Sequence, residues 1–378
     1  MKRIIVILAI LYAHPSILFS QVQLTITGQV LSESSEPLPY AHVVIEGTKT
    51  GTLANANGDF ILQLSEQDCG KKLQVSFVGY SSGTASISCP IKQPLTITLK
   101  ENISTLRAVE VNALSAEAIV KQVIDKLEQN YQAPAEYTLF TRETETAAQP
   151  VTLTEAVYKL QYFPKEKPRF NIIKVRTKAY SKRGKQRLNE ARLITLHTAE
   201  ALMMLRFGTD FLEYKKTKRY TYKLAGFTQY NNREYYVIEV GSVKNNYLQG
   251  GTIWVDPDTY GVAYLKKIWS DEKWRTGEIR SKTNNVDEIY YRQDGNKWYL
   301  SHSKESCKFG FAKGEPLHIL TYTVATQRTA EKTFSKEEDM GLMSKMLKDF
   351  TGEFSDSFWE NYNYIPLDSI YTSPIVID

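Results

Sequence analysis

Apolar and polar positions alternate along residues 26–99. Val43/Ile45, Phe60/Leu62/Leu64, Leu73/Val75/Phe77 and Leu95/Ile97/Leu99 each recur with a period of two, which sets each group on one face of a strand. Turn-forming residues punctuate these runs: Pro37-Leu38-Pro39, Gly47 and Asn55-Ala56-Asn57-Gly58. Asn-Gly supplies the positive φ that a tight hairpin needs. Roughly six or seven short strands in such a stretch predict a small β-sandwich.

The period then changes. Residues 99–114 read as a linker, after which Ile119, Val120, Val123, Ile124 and Leu127 recur at three- and four-residue spacing. That is the stripe of an amphipathic helix, with Ser115 placed to cap it and Pro134 beyond its end. From Tyr137 to about Phe334 the pattern is again mostly β. It predicts strands at 137–144, 151–163, 170–180, 220–229, 234–243, 251–255, 261–268, 287–292, 297–305 and 317–326. Asn231-Asn232, Asp256-Pro257-Asp258 and Asp294-Gly295-Asn296 fall between several of them, the signature of sequential hairpins and so of an antiparallel meander or half-barrel. A short helix around 198–205 interrupts it, where Met203-Met204-Leu205 reads as core filler rather than as the lining of a loose apolar site. Residues 335–362 read as helical or loose, with Met340, Leu342, Met343, Met346 and Leu347 as an apolar stripe. Phe358-Trp359-Glu360-Asn361-Tyr362 reads as an aromatic lid or anchor, because a large exposed aromatic cluster is unusual.

The fold class expected is therefore mainly β. The expected divisions are a leader at 1–20, a β-sandwich at 21–101, a linker and helix at 102–134, an antiparallel meander at 135–334 and a helical, aromatic segment at 335–378. Lys2 and Arg3 before the apolar run 4–11 give the first division the form of a secretory signal peptide; its apolar core is too short to cross a bilayer. Cleavage after Ser20 leaves 358 residues, enough for two or three domains, and lowers the net charge from +5 to +3 by removing two basic residues. So small an excess argues against nucleic acid as partner. No cysteine stands at the cleavage point and no second long apolar run follows, so no lipoprotein anchor or transmembrane segment is expected after cleavage. The expected location is exported, in the periplasm or at the outer membrane.

Export permits a disulfide. Cys69 precedes one strand of the sandwich and Cys89 ends the next, so a hairpin would carry both to one end. Their register reads as several residues offset, which leaves a bridge and a pair of reduced, half-buried thiols both open.

The order Gly28-Gln-Val, Pro37-Leu-Pro-Tyr-Ala-His-Val-Val-Ile-Glu-Gly-Thr48, Gly51-Thr…Asn57-Gly-Asp-Phe60 and Val75-Ser-Phe-Val-Gly-Tyr80 resembles the carboxypeptidase regulatory-like domain, a transthyretin-like (prealbumin-like) sandwich. The resemblance implies an accessory module of bacterial envelope proteins, common in Bacteroidetes. It stands beside peptidase domains or at the front of TonB-dependent receptors and carries no catalytic residues of its own. The unit Tyr235-Tyr236-Val-Ile-Glu-Val…Gly251-Thr-Ile-Trp-Val-Asp-Pro-Asp-Thr-Tyr-Gly-Val-Ala-Tyr-Leu265, with Asn296-Lys-Trp-Tyr-Leu300, resembles the curved sheet of bacterial lipoprotein carriers. It implies a half-barrel with a concave apolar face.

Chemical motifs occur without their context. Gly79-Tyr80-Ser81-Ser82-Gly83 matches Gly-x-Ser-x-Gly, but a nucleophile elbow needs a strand-to-helix turn and here a strand follows. His302-Ser303-Lys304-Glu305 matches a zinc-binding His-x-x-Glu, with His318 as a third candidate; on an extended strand the first two point to opposite faces. Asp256-Pro257-Asp258-Thr259-Tyr260-Gly261 is a hairpin turn rather than a calcium loop, whose twelfth position here is Lys267. No metal site, cofactor or catalytic residue is expected. The run 165–192 holds eleven Lys/Arg against two Glu; it reads as a solvated loop and edge strand, with peripheral contact to an anionic membrane as the alternative. Twenty-four tyrosines and five tryptophans suit carbohydrate or lipid contact as well as sheet packing. Trp254, Trp269 and Trp298 are the candidate ligand-contact aromatics. The expected function is a non-catalytic envelope protein: an interaction sandwich plus a meander that binds an apolar or glycan ligand or a protein partner. The alternatives are a hydrolase with a scattered site and a purely structural component.

Overall fold

The computed structural model describes residues 23–91, 94–102, 115–131, 134–163, 166, 168–190, 209–242, 250–271, 275–276, 279–280, 283–309, 315–340, 357–362, 364–368 and 371. The leader expected at 1–20, the helix expected around 198–205 and the stripe at 342–347 lie outside them.

The first seven strands are β1 (Gln23–Ser32), β2 (His42–Ile45), β3 (Gly51–Leu53), β4 (Asp59–Ser65), β5 (Lys72–Ser76), β6 (Gly83–Ser86) and β7 (Leu95–Leu99). They make two sheets, β4-β1-β7 and β3-β2-β5-β6, with β1 and β7 parallel. The alternating positions do meet between the sheets: Ile26, Val30, Val43, Ile45, Phe60, Leu62, Leu73, Val75 and Ile97 are all buried in one cluster. Two glycines are sterically required. A Cβ at Gly28 would sit 2.5 Å from the Leu95 carbonyl and 2.6 Å from the Phe60 ring. Gly58, at φ +79°, would drive one into the Val30 carbonyl at 2.4 Å. Its turn is closed by Asn55 Oδ1, which accepts from the backbone N–H of Asn57 and of Asp59 at 2.9 Å each.

The register of β5 on β6 corrects the expected offset of the cysteines. Lys72 opposes Ser86, and the N–H of Gly70 donates to the Ile87 carbonyl at 2.8 Å. Continuing that pairing brings Cys69 opposite Cys89, and the two are bonded across a Cα–Cα distance of 5.8 Å.

Helix α1 (Ala116–Tyr131) starts where Ser115 Oγ accepts from the Ala118 N–H at 3.2 Å. Then come β8 (Ala135–Thr146), β9 (Pro150–Tyr162), β10 (Arg169–Ala179), α2 (Lys182–Glu190), β11 (Tyr220–Tyr230), β12 (Arg233–Ser242), β13 (Gly250–Val255) and β14 (Val262–Asp271). A short ribbon, β15 (Arg275–Thr276) and β16 (Ile279–Arg280), precedes β17 (Thr283–Asp294), β18 (Lys297–Phe309) and β19 (Leu317–Thr329). Ten of these strands form one antiparallel sheet in the order β10-β9-β8-β19-β18-β17-β14-β13-β12-β11. The meander is thus two arms, β8 to β10 and β11 to β19, joined where β19 pairs β8.

The two faces of this sheet are covered differently. On one, α1 lays Ile119, Val120 and Val123 onto Leu139, Tyr158, Ile238, Ile253, Leu265, Ile289 and Leu300, all buried. The Tyr131 hydroxyl donates to the Val262 carbonyl at 2.7 Å and accepts from its N–H at 2.6 Å, fixing the helix end. Further along this face the row Glu143–Thr321–Glu305–Asp287–Lys267 is polar and buried. The apolar face implied by the carrier resemblance is therefore filled, over its described part, by the chain's own helix. The other face carries the sandwich.

A cavity between the sandwich and the sheet

Two register rows build the sandwich-facing side. One runs Trp254–Tyr264–Tyr290–His302–Val324–Phe140–Val157, each residue directly opposite the next. Its aromatic half is a ladder, with ring centroids 4.4 Å apart for Trp254 and Tyr264, 4.8 Å for Tyr264 and Tyr290, and 4.3 Å for Tyr290 and His302. Cross-strand aromatic pairs of this kind stabilise a sheet. The second row runs Lys266–Glu288–Lys304–Tyr322–Arg142–Glu155–Arg176. Charges of opposite sign face each other along most of it. A bulge between Tyr290 and Tyr291 shifts the pairing with β18. Such a shift changes which residues share a face: Tyr290 opposes His302, but Tyr291 opposes Leu300, so Leu300 and Trp298 turn to the helix face.

The far end of the second row is a buried triad. Glu155 is wholly buried between Arg142 and Arg176. Its Oε1 accepts from Arg142 Nε at 2.6 Å, and its Oε2 accepts from Arg176 Nε. Arg142 then reaches the carbonyls of Ile365 and Pro366, the latter at 2.8 Å. The Arg176 guanidinium lies 4.1 Å over the Trp359 ring. The segment 364–368 in turn meets the sandwich: Asp368 Oδ1 accepts from the Ala56 N–H at 2.8 Å, and the Tyr364 carbonyl from Thr52 Oγ1 at 3.4 Å. The C-terminal segment is thus a strap wedged between the two units.

Near the middle, His42 of β2 meets His302 of β18 with ring centroids 4.8 Å apart. Ser301 Oγ lies 3.5 Å from His42 Nε2 and 3.2 Å from His302 Nδ1. Burial, and then the nearby Arg292 charge, push His42 down to about 3; burial, and then His42, hold His302 well below its ordinary value. Both rings are neutral near pH 7. Arg292 also donates to the Thr48 carbonyl at 3.1 Å, a second tie between the units.

Beside this pair lies a cavity of about 240 Å³. The sandwich contributes Tyr40, Leu53, Ser76, Phe77 and Val78; the sheet contributes Tyr230, Glu288, Tyr290, His302, Lys304 and Tyr322. Tyr40 stacks on Tyr322 at 3.9 Å. It does so with φ at +62°, a backbone region that a bulky residue rarely adopts. The Tyr264 hydroxyl behind the wall donates to Glu288 Oε1 at 2.8 Å, and Lys304 Nζ lies 3.8 Å from Glu288 Oε2. Burial raises the hydroxyls of Tyr40, Tyr290 and Tyr322, which stay protonated and able to donate. The arrangement offers aromatic surface, phenol donors, one carboxylate and one ammonium.

The candidate tryptophans are placed elsewhere. Trp254 is buried behind the wall, against Tyr230 and Tyr264. Trp298 is buried on the helix face, packed flat on Gly261, with Nε1 donating to Thr259 Oγ1 at 3.3 Å. Neither lines the cavity: a large ring on a two-sided buried sheet is core. Trp269 pairs with Asn285 in the sheet, but its side chain lies outside the described residues. Ser81 sits in a strand-turn-strand hairpin, with its N–H on the Lys100 carbonyl at 2.9 Å. His302 faces His42, whereas Glu305 lies in the polar row of the opposite face; His318 hydrogen-bonds Ser306 at 2.8 Å. Asp256 Oδ1 closes its own turn by accepting from the N–H of Asp258 and of Thr259 at 3.1 and 2.8 Å. The basic run forms the edge strand β10 and then α2, a helix not expected there. Within it Arg176 pairs with Glu155 and Arg187 with Glu145. Nothing in the sequence pattern singles out Tyr40, Tyr230, Glu288, Lys304 or Tyr322 as site residues.

Residues 26–111 match the profile of the CarboxypepD_reg-like domain. Over 89 residues the chain is 33% identical to the TonB-dependent receptor SusC of Bacteroides thetaiotaomicron, an alignment that covers 24% of this chain and 8% of the receptor. Among solved structures it is similar to a putative outer membrane lipoprotein-sorting protein domain from Vibrio parahaemolyticus, at 10% identity over 59% of this chain and 97% of that one, with a TM-score of 0.27. It is also similar to a LolA superfamily protein from Nitrosomonas europaea, at 9% identity over 61% of this chain and 99% of that one, with a TM-score of 0.20. The chain carries a carboxypeptidase regulatory-like sandwich docked on a large antiparallel sheet.

Proposed function

We propose that this is a non-catalytic binding protein of the bacterial cell envelope, whose ligand sits between the sandwich and the sheet. The observation that carries this reading is the cavity of about 240 Å³ walled by both units. Concave, mostly aromatic sites with a few converging polar groups at the boundary between units are where small ligands bind. The regulatory-like domain together with the 89-residue likeness to a TonB-dependent receptor favours the envelope. The wiring of the histidine favours binding over catalysis: His302 is engaged by Ser301, His42 and Tyr290, while Glu288 takes the Tyr264 hydroxyl and Lys304. A general base needs an oriented proton path to substrate, whereas this imidazole is packed between His42 and Tyr290 and burial lowers its basicity.

The test is native mass spectrometry of the natively purified chain, before and after organic extraction. Val78, at the rim and 37% exposed, is replaced by tryptophan to plug the mouth. The expected result is an adduct on the wild type that extraction removes and that Val78→Trp lacks. A bare wild-type mass, or an adduct indifferent to the plug, would turn the search to protein partners.

A further inference from the structure

The cavity holds a charged group of its own that indicates what it receives. Lys304 Nζ lies 5.9 Å from the Tyr40 ring centroid and 6.0 Å from that of Tyr322. It is also 3.8 Å from Glu288 Oε2. An ammonium there is attracted by the carboxylate and lies beside the Tyr40–Tyr322 stack, whose rings face each other at 3.9 Å. The hold is loose: the Lys304 side chain is 39% exposed and the ion pair is at the long end of the range, so releasing it costs little. Glu288, by contrast, is kept in place by the Tyr264 hydroxyl at 2.8 Å. The carboxylate and the rings are thus fixed, and the cation between them is the movable part. Among the described residues lining the cavity, Glu288 is the one carboxylate and Lys304 the one ammonium.

Resting on the reading of this cavity as the ligand site, we infer that it takes a small organic ammonium ion, whose cationic head replaces Lys304 Nζ between Glu288 and the Tyr40–Tyr322 rings. Lys304 is then a placeholder that swings to solvent when the ligand enters. The volume, about 240 Å³, admits a ligand of on the order of ten non-hydrogen atoms at the roughly 30 Å³ per molecule of liquid water. The alkyl part would lie against Phe77 and Leu53.

Calorimetric titration with choline chloride and with its neutral isostere 3,3-dimethylbutan-1-ol tests this on the full chain. The expected result is heat from choline and binding at least about tenfold weaker for the isostere, the size of effect that a desolvated cation gains from rings and a carboxylate. Glu288→Gln keeps an acceptor for Tyr264 and should weaken choline about tenfold. Lys304→Met keeps the apolar stem but removes the competing charge, and should tighten choline about threefold. A folding defect in the variants would leave the wild-type comparison of the two probes standing. Equal binding of choline and its isostere, or weakening by Lys304→Met, overturns the ammonium assignment and leaves the cavity reading intact. So does silence from choline while an adduct sensitive to Val78→Trp persists. Silence together with no such adduct overturns both. Sedimentation with phosphatidylcholine vesicles, with soluble choline as competitor, separates a lipid headgroup from a free solute as the source.

Discussion

The two faces of the ten-stranded sheet are built from alternate residues of the same strands, yet they are held by different forces. On the helix face, α1 buries an apolar stripe against apolar positions, and the attraction is non-directional and proportional to area. On the sandwich face a smaller apolar cluster, Leu53 with Phe140, Val157, Val324, Trp359 and Ile365, is joined by a buried Arg142–Glu155–Arg176 triad, a His42–His302 pair and a ladder of rings. Directional contacts of that kind do not fill space uniformly. They leave a cavity beside them, whereas the helix packs flush.

The sharpest way to break the comparison is to remove the charge at the centre of the sandwich face. Glu155→Ala leaves two buried guanidinium groups opposed by nothing from that position. It should cost about 3–5 kcal/mol, read as a lower urea midpoint, with the strap at 364–368 losing protection from amide exchange first. Ile119→Ala on the helix face should cost about 2–5 kcal/mol as lost burial plus cavity. It differs in kind: its cost should be insensitive to salt and pH, and exchange at the strap should be unchanged. If both variants unfolded the strap alike, the two faces would not be separable.

Acid should act on the sandwich face. His42 is held down to about 3, below the ordinary imidazole value of about 6.5. Between those values the unfolded chain binds a proton that the native chain refuses, so stability falls as pH drops, by up to about 1.4 kcal/mol per pH unit for such a histidine. His42→Gln should flatten that limb of a plot of Tm against pH. The helix face carries the opposite sign. Burial, and then Glu145, raise Glu143 to about 8. The native chain there keeps a proton that the unfolded chain releases above about 4.5, so this contribution fades as pH rises from 4.5 through 8. Glu143→Gln should flatten the alkaline limb and leave the acid limb unchanged. The smallest effect is expected at the rim: Lys304→Met should change stability by less than about 1 kcal/mol, as loosely paired exposed lysines do. A larger loss by thermal melting would make Lys304 a structural tie rather than a displaceable one.

Much of the fold was legible in the chain. β-rich runs separated by turns such as Asn231-Asn232 and Asp294-Gly295-Asn296 located the ten strands of the large sheet to within a few residues. Ser115 and the stripe at Ile119, Val120 and Val123 located α1. The site was less legible. Tyr322, Lys304, Glu288 and Tyr290 come from three strands, and Tyr40 from a turn of the other unit; they become neighbours through register. No local pattern encodes that register: alternation sets Glu288 with Tyr290 and His302 with Lys304 but does not say which strands they meet. The tryptophans drew attention for their size, but size is what a two-sided core consumes.

By itself, then, the sequence determined the local elements, the regulatory-like sandwich and the helix that covers the sheet, since each follows from short-range periodicity, turn chemistry or a contiguous block of residues. Tertiary structure alone decided that Cys69 opposes Cys89, that the sandwich docks on the far side of the sheet and that a cavity opens between them. Those outcomes depend on strand registers and on contacts such as Thr52 with Tyr364, 312 positions apart in the chain, and no short-range pattern couples residues so distant.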